Sequence, residues 1–289
     1  MSVQLSIFDL KSKIALYWPL IKSLQTGLLL ATGIAGYMSA HAPIQLSTFF
    51  GLIASLFLAI SGSTILNMWY DRDIDTVMDR THNRPLASGK ISQHEALRLG
   101  LLLALLGVGW AVAINPLYGL IVFAGLFSDV VVYTIWLKRR TCWSIVWGGI
   151  SGGMPILAGR ALAIGHVDLI GILLMMAVLF WIPTHILTFS MRYFKDYQAA
   201  KVPTFPSIYS FEATRAIIAL SAIIAAASIG VAGVMIGVQA GAMRLMIVLA
   251  SGLLVLSFAT VFRPSEQVNF GLFKYASLYM LASMILVSI

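Results

Sequence analysis

The chain has 289 residues, of which 60% are hydrophobic and 10% are charged, whereas a soluble domain is roughly one quarter charged. This composition excludes a soluble enzyme, a disordered chain and a fibrous repeat, because each would need far more polar surface. The formal net charge of +8 is typical, in a membrane protein, of anchoring charges at the bilayer surface. We therefore predict an integral membrane protein whose surroundings are lipid, with no nucleic-acid partner.

Nine hydrophobic segments follow one another, each close to the length of about 20 residues that spans a bilayer as a helix. They run near 16–38, 45–67, 95–114, 117–137, 143–163, 167–192, 212–236, 243–262 and 268–288. The connections between them are too short for a soluble domain. The predicted fold is an all-α membrane protein with one domain over residues 1–289, a bundle of nine transmembrane helices around a lipid-facing central cavity.

The basic residues lie almost entirely on one side of this bundle. Every Lys and Arg except Arg160 and Arg244 falls in the N-terminal segment or near an even-numbered connection. By the positive-inside rule the N-terminus and these connections are cytoplasmic and the C-terminus is outside. No small-residue cleavage site precedes the first apolar segment, so we expect no cleaved signal peptide and a multi-pass protein of the cell membrane.

Four of the 11 acids fall within residues 71–79, where the second predicted span meets the cytoplasm. With an amide four residues earlier, the pattern reads Asn67-x-x-x-Asp71-x-x-x-Asp75. Steps of four place these side chains on one helix face over roughly 12 Å. The carboxylates repel one another there, which predicts that something positive holds them together. Such oxygen ligands suit Mg²⁺, which usually binds one or two carboxylates together with substrate phosphates.

A solvated helix end is the alternative to a metal site, because Arg72 and Arg80 could pair with these acids. That alternative leaves the deeper Asn67 unexplained, since an unpaired amide inside the membrane is costly. Arg80 and Arg84 follow the acids closely. We expect both to contact phosphate groups of a substrate, because the planar guanidinium grips phosphate oxygens through two parallel hydrogen bonds.

A second acidic position follows the sixth predicted span. Asp196 lies at the same membrane boundary as Asp71 and Asp75, and packing of the bundle would bring it opposite them. Two acidic clusters facing each other would hold a pair of divalent ions on a diphosphate. On its own, Asp196 beside Lys195 would be a surface ion pair.

These motifs resemble those of the UbiA superfamily of intramembrane prenyltransferases, and the resemblance covers nearly the whole chain. It rests on the Asn67–Asp75 pattern, on the basic loop that ends Arg84-Pro85-Leu86, and on Lys195-Asp196-Tyr197. Within the superfamily, residues 70–86, 133–141 and 194–203 look most like the heme O synthases, or protoheme IX farnesyltransferases.

Three positions depart from the superfamily pattern. Ala200 stands where many members carry a second acid, an absence that heme O synthases commonly share. Pro183-Thr184-His185 replaces a usual Pro-His-Phe, and Lys22-Ser23 replaces a usual Lys-Pro. These departures leave the acceptor open.

The resemblance implies transfer of a polyprenyl group, expected to be farnesyl, from its diphosphate to a hydrophobic acceptor in the bilayer. Mg²⁺ would neutralise the diphosphate as leaving group, and Asp71, Asp75 and Asp196 would be catalytic. The implied metal ligands are Asn67, Asp71, Asp75 and Asp196. The implied cationic partners of the diphosphate are Lys22, Arg72, Arg80, Arg84, Lys138, Arg139 and Lys195. Tyr133 is expected to stabilise an allylic cation, the alternative being an interfacial tyrosine.

The expected acceptor is protoheme IX, which would give heme O; geranylgeranylglyceryl phosphate or an aromatic quinone precursor are the alternatives. Asp129, roughly 13 Å inward of Lys138, could orient the acceptor, complete a metal site or hydrogen-bond within the bundle. His185 could ligate heme iron or bond to a neighbouring helix.

Glycines in the fifth predicted span, at 148, 149, 152 and 153, would either open a slot for a planar macrocycle or permit close helix packing. A transporter is the alternative of a different class, because acids within the membrane and Gly-rich spans also occur in transporters.

Overall fold

A computed structural model describes residues 14–289, and within that range the chain is helical and contains no β-strand. A 3₁₀ turn at Trp18–Ile21 precedes the first helix. The helices are α1 Ser23–Met38, α2 Leu46–Tyr70, α3 Arg72–Val77, α4 Gln93–Ile114, α5 Pro116–Phe127 with a π-helix Ser128–Leu137, α6 Ser144–Ile164, α7 Leu169–Arg192, α8 Phe194–Ala199, α9 Phe205–Ile208, α10 Phe211–Ile236, α11 Ala240–Phe262 and α12 Glu266–Leu286.

Within the part of the chain that the structure describes, six helical stretches are long and apolar enough to cross a membrane. They are α2, α4, α5 with its π-helix, α7, α10 and α11. A seventh span is counted if Ile14–Ile21 and α1, which meet at an angle of 53°, form one broken span. The all-helical membrane fold is therefore confirmed with six to seven spans. α6 and α12 coincide with the two other predicted segments, and nine spans around a central cavity remain a prediction.

Polar residues begin several of the helices. The side chains of five N-cap residues accept a hydrogen bond from the first helical turn: Ser92, Asn115, Asp168, Ser210 and Ser265. Gly165 and Gly237 end α6 and α10 with φ of 82° and 81°, a left-handed conformation that favours glycine.

α6 lies at the centre of the packing. Its Ile156 belongs to the hydrophobic cluster formed with α7, α10 and α12, whereas Leu157 and Ala158 belong to the cluster formed with α1, α2 and α5. A Cβ added to Gly159 would lie 1.9 Å from the carbonyl oxygen of Gly33, so α1 and α6 are in backbone contact. This close packing fixes the middle of the bundle on which the functional residues are carried.

The charged segments gather at one end of the bundle, which we call the charged end: residues 70–93, 137–144, 192–211 and 262–266. α2 bends at Asp71, whose φ and ψ are −89° and 7°, and α3 continues from it. Ile74 and Met78 pack with Val202 in a small hydrophobic cluster. This cluster joins α3 to the segment that follows α8, so the two acidic segments predicted to face each other are packed together.

Candidate active site

Asp71, at the end of α2, is buried in an ion pair and is 5% exposed. Its Oδ2 accepts a hydrogen bond from Nζ of Lys138, the residue that follows the π-helix. Its Oδ1 lies 3.8 Å from Nη2 of Arg139. Two cations from a distant part of the sequence therefore neutralise this carboxylate.

Asp75 is equally buried, at 5% exposure, and has a different partner. Nη1 of Arg84 donates to both of its carboxylate oxygens, at 2.9 and 2.8 Å. Thr81 donates to the main-chain carbonyl of Asp75 at 3.0 Å, which folds the turn after α3 back over the acid. The positive groups that offset the repulsion between the two carboxylates are thus Lys138 and Arg84.

The bend at Asp71 leaves the predicted stacking of the motif intact. The N–H of Asp71 donates to the carbonyl of Asn67, and the N–H of Asp75 donates to the carbonyl of Asp71, both at 2.9 Å. The helical hydrogen bonding therefore continues through all three motif positions.

Asn67 and Asp129 belong to one hydrogen-bonded network between α2 and the π-helix. Nδ2 of Asn67 donates to Oδ2 of Asp129 at 2.7 Å, and Ser63 donates to the same oxygen at 2.6 Å. Thr134 donates to Oδ1 of Asn67 at 2.8 Å. Sequence reasoning missed Ser63 and Thr134. Ser63 could have been found, because it extends the four-residue spacing of the motif by one turn.

The π-helix places Tyr133 beside Lys138. The N–H of Lys138 donates to the carbonyl of Tyr133 at 2.8 Å, a bond between residues five apart that is typical of a π-helix. Nζ of Lys138 then lies 5.7 Å from the centre of the Tyr133 ring. A Cβ added to Gly148 would lie 2.7 Å from Cδ2 of Tyr133, so the glycine leaves the space that the ring occupies.

Arg139 lies between the buried Asp71 and the exposed Asp73. Its guanidinium donates to both carboxylate oxygens of Asp73, at 2.8 and 2.7 Å, and lies 4.8 Å from the ring centre of Tyr70. The hydrogen bonds from Arg139 hold the pKa of the Asp73 carboxyl below its usual value because they favour the charged form.

The donor atoms present suit a hard divalent ion. Oδ1 of Asp71 is buried and has no hydrogen-bond partner among the described residues, and a carboxylate oxygen in that state favours a cation. No group of three or more His, Cys, Asp and Glu side chains lies close enough together within residues 14–289 to hold a metal ion. The carboxylates of Asp71, Asp75 and Asp196 are thus not gathered around one point, and the four predicted metal ligands remain a prediction.

The other predicted phosphate partners have different surroundings. Lys22, with φ of 45° at the start of α1, follows Leu20, which shares a hydrophobic cluster with Met68 of α2 and Leu86, so Lys22 lies near the same site. Arg72 donates instead to the carbonyl of Trp69 at 3.0 Å. In the described part of the chain, the side chains of Lys195 and Asp196 form no hydrogen bond or ion pair with each other or with any other residue, and Lys195 is exposed.

Arg80 and His185 contact aromatic rings near each other. The Arg80 guanidinium lies 4.8 Å from the ring centre of Phe189 on α7. The His185 ring is stacked between Trp181 and Phe273, at 4.9 and 4.4 Å. Its Nδ1 lies 3.3 Å from the hydroxyl of Ser277 on α12, so a hydrogen bond to a neighbouring helix is present.

The four glycines of α6 are in close contact with other helices. A Cβ on Gly152 would lie 2.3 Å from Cδ1 of Ile182, and one on Gly153 would lie 2.6 Å from Cγ of Met175. Leu179 fills the space beside Gly149, as Tyr133 does beside Gly148. Of the two interpretations of these glycines, close helix packing is the one that the structure shows.

An all-helical, multi-spanning fold with buried acids and cations at one end defines a membrane protein with a functional site at that end. The sequence model of the UbiA prenyltransferase family matches residues 28–280. The chain therefore belongs to the UbiA prenyltransferase family, and it is a prenyltransferase and an integral, multi-pass membrane protein. Family membership removes the transporter alternative.

Two curated relatives share about two fifths of the aligned residues. A protoheme IX farnesyltransferase of Korarchaeum cryptofilum is 42% identical over 219 residues, which cover 76% of this chain and 74% of the relative. One of Archaeoglobus fulgidus is also 42% identical, over 191 residues that cover 66% of this chain and 67% of the relative.

Solved structures share the fold at much lower identity. A digeranylgeranylglyceryl phosphate synthase has a TM-score of 0.79 at 17% identity, covering 96% of this chain and 99% of its own. A UbiA homologue of Archaeoglobus fulgidus bound to GPP and Mg²⁺ has a TM-score of 0.67 at 16% identity, with the same coverage. These likenesses establish the architecture and leave the substrate to other arguments.

Proposed function

We propose that this protein transfers a farnesyl group from farnesyl diphosphate to protoheme IX, in a Mg²⁺-dependent reaction that gives heme O. The observation that carries the proposal is the buried Oδ1 of Asp71, which accepts no hydrogen bond from the described residues and has only the Arg139 guanidinium near it, at 3.8 Å. The relatives named protoheme IX farnesyltransferase, which align over most of the chain, support heme as the acceptor. The prenyl diphosphate and Mg²⁺ in a solved homologue support the donor and the metal.

The metal would be held by Asn67, Asp71, Asp75 and Asp196, and when bound it would neutralise the diphosphate as leaving group. Asp71 and Asp75 bring two negative charges to a site where Lys138 and Arg139 offset the first and Arg84 offsets the second. A diphosphate is a stronger partner for those cations than a single carboxylate, because it offers more charge and more acceptor oxygens. Lys138 and Arg84 would then contact the diphosphate, and the carboxylates would be left for the metal.

The other cations extend this interaction outward. Arg139, which lies 3.8 Å from Asp71, and Lys22, which begins α1 near the same site, would bind further diphosphate oxygens. Arg72 and Lys195, nearer the surface of the charged end, would attract the substrate rather than grip it.

Tyr133 would stabilise the carbon that loses the diphosphate. Its ring lies 5.7 Å from the ammonium group of Lys138, so it already carries a cation close to its π-face. When the C–O bond of the donor breaks, its electron pair leaves with the diphosphate, and the positive charge spreads over the allylic carbons. The π-electrons of a vinyl group of protoheme would then form the new C–C bond. Water would add to the resulting cation and lose a proton.

The charged end would face the cytoplasm, with the C-terminus outside and the protein in the cell membrane. This proposal follows from the distribution of Lys and Arg. The N-terminal residues up to 13, on which the expected absence of a signal peptide depends, lie outside the described residues.

The decisive experiment combines the purified protein, labelled farnesyl diphosphate and Mg²⁺ with one acceptor at a time: hemin, geranylgeranylglyceryl phosphate or a hydroxybenzoate. We expect diphosphate release together with a heme product whose mass has increased by one farnesyl group and one hydroxyl group, and we expect EDTA to abolish both. A product from one of the other acceptors, with none from hemin, would overturn the heme assignment. Full activity in EDTA would overturn the metal assignment.

A further inference from the structure

One face of α7 carries an aromatic ring at every fourth position toward the charged end. The rings belong to Trp181, His185, Phe189 and the C-cap residue Tyr193, and steps of four place them one above another. On α12, Phe273 stacks on His185 with ring centres 4.4 Å apart and lies 5.7 Å from Phe189. All these rings are partly exposed. Together they form a continuous aromatic wall across α7 and α12.

Three cations lie against aromatic rings where this wall reaches the charged end. The Arg80 guanidinium lies 4.8 Å from the ring centre of Phe189 and 5.5 Å from that of Tyr193. The Arg192 guanidinium lies 4.0 Å from the ring centre of Phe270 and 5.9 Å from that of Tyr193. Nζ of Lys274 lies 4.6 Å from the centre of Phe270. Neighbouring cations thus share a ring, and we call these three residues the basic–aromatic array.

The array differs from the cations at the acidic site. Lys138, Arg84 and Arg139 are each paired with a carboxylate. Within the described range, Arg80, Arg192 and Lys274 form no ion pair, and their side chains donate no hydrogen bond. Like charges that share aromatic rings repel one another, and an anion placed among them would relieve that repulsion. Arg80 therefore belongs with this array rather than with the Asp71 and Asp75 pairs.

We propose that the basic–aromatic array binds the acceptor as a planar aromatic dicarboxylate, with its carboxylates on Arg80, Arg192 and Lys274 and its ring edge along the aromatic wall. The inference rests on the proposed function, since protoheme is a flat macrocycle with two propionates on one edge and vinyl groups away from them. Carboxylates held at the charged end would leave the vinyl groups directed into the bundle. The array would thereby select an acceptor with two carboxylates over one without them.

The direct test is binding measured without donor or Mg²⁺. The full chain in nanodiscs of neutral phosphatidylcholine is titrated with hemin and with hemin dimethyl ester, and the Soret absorption is followed. We expect hemin to bind at least about tenfold more tightly than the ester, because methylation removes two charge-assisted contacts. Equal affinity for hemin and ester would overturn the proposal.

Variants show which residues are responsible for the preference for hemin. Arg80→Gln, Arg192→Gln and Lys274→Gln should each weaken hemin binding several-fold, and the triple variant should lose the preference over the ester. Arg98→Gln, an exposed arginine on α4, is the matched control and should bind hemin as the unmodified chain does. A triple variant with unchanged hemin affinity would overturn the proposal. So would an effect seen only with phosphatidylglycerol in the nanodiscs, which would assign the array to an anionic lipid.

Turnover separates this inference from the proposed function. If both hold, the array variants raise the KM for hemin and leave the KM for farnesyl diphosphate unchanged. If heme is prenylated equally well by the triple variant, the array proposal fails and the proposed function stands. If hemin binds at the array but no prenylated heme forms, the proposed function fails and the array stands.

Discussion

Two of the buried ion pairs, which lie at opposite ends of the bundle, differ in how completely their polar atoms are hydrogen-bonded. At one end Arg160, 6% exposed, donates through Nε and Nη2 to Asp168, at 2.7 to 3.0 Å. Its Nη1 donates to the carbonyl and hydroxyl oxygens of Ser39, and Asp168 also accepts from the N–H of Gly171. At the charged end, Asp71 pairs with Lys138 through one oxygen and leaves the other without a hydrogen bond within residues 14–289.

The contrast separates an ion pair that holds helices together from one that is prepared for a ligand. The Arg160 pair connects α1, α6 and α7, and each polar atom of its two side chains already has a hydrogen-bond partner. Burial opposes ionisation of the Asp168 carboxyl, but the hydrogen bonds from Arg160 and Gly171 outweigh it, so its pKa lies below the usual value. The Asp71 pair joins the end of α2 to the residue after the π-helix and leaves one buried oxygen without a hydrogen bond from the described residues. We therefore expect substitutions in the first pair to affect stability and those in the second to affect turnover.

The largest expected effect is that of Asp71→Asn. Asparagine keeps the size of the side chain and removes the charge that would hold a metal, so diphosphate release should fall roughly 100- to 1000-fold. The unfolding temperature should fall much less than in Asp168→Asn, because Lys138 is 20% exposed and keeps its contact with the Tyr133 ring. Diphosphate release and thermal unfolding in detergent are the two measurements. Unchanged release would contradict the role of Asp71.

Asp168→Asn should give the reverse result. Removing one member of this buried pair leaves the Arg160 guanidinium uncompensated and should cost about 3 kcal/mol in the free energy of unfolding. Turnover per folded molecule should remain unchanged, since Asp168 lies at the end opposite to the site. A variant that unfolds normally but has lost activity would contradict the comparison.

The pH dependence of stability sharpens the same comparison. Because the pKa of Asp168 is lowered in the folded protein, the pair stabilises the protein fully above the unfolded value of about 3.9. That contribution is lost as the pH falls through the folded pKa. The difference in unfolding temperature between the unmodified chain and Asp168→Asn should thus be constant from pH 5 to 7 and shrink below about pH 4.

Gly148→Ala tests whether the position of the Tyr133 ring matters for turnover. The new methyl group would lie 2.7 Å from Cδ2 of Tyr133 and would displace its ring, so turnover should fall about tenfold. Gly230→Ala on α10 is the control, since a Cβ there meets nothing within 4 Å, and it should be neutral or slightly stabilising. Equal turnover in both variants would show that the position of the Tyr133 ring is unimportant.

Much of this architecture is predictable because hydrophobic length and capping residues are local properties. The segments 45–67 and 95–114 are helices close to those limits, and Asn115-Pro116 is a connection. The segment 117–137 is helical, but its second half is a π-helix. That change was not predictable, because apolar periodicity does not reveal whether hydrogen bonds join residues four or five apart.

The features of the site likewise divide into those that the sequence predicts and those that depend on packing between segments. The spacing of Asn67, Asp71 and Asp75 on α2 identifies the acids, because it depends on one helix only. The pairing of Asp71 with Lys138 rather than with the nearer Arg72 depends on how α2 packs against the π-helix. The sequence also gives no sign that three cations of the loop after α3, α7 and α12 meet on shared rings, since each of those contacts joins separate segments.

The smallest effect is expected for Asp73→Asn, which removes the exposed counterpart of the buried pairs. Asp73 is 62% exposed on its side chain, so its hydrogen bonds with Arg139 are screened by solvent and should contribute less than about 1 kcal/mol to stability. Arg139 also lies 3.8 Å from Asp71 and would be freed to approach it or a bound diphosphate. Turnover should therefore change less than about threefold, and any loss of stability should disappear in high salt. Thermal unfolding at low and high salt, measured beside Asp71→Asn, checks this. A loss of activity as large as that of Asp71→Asn would mean that the surface acid also belongs to the catalytic set.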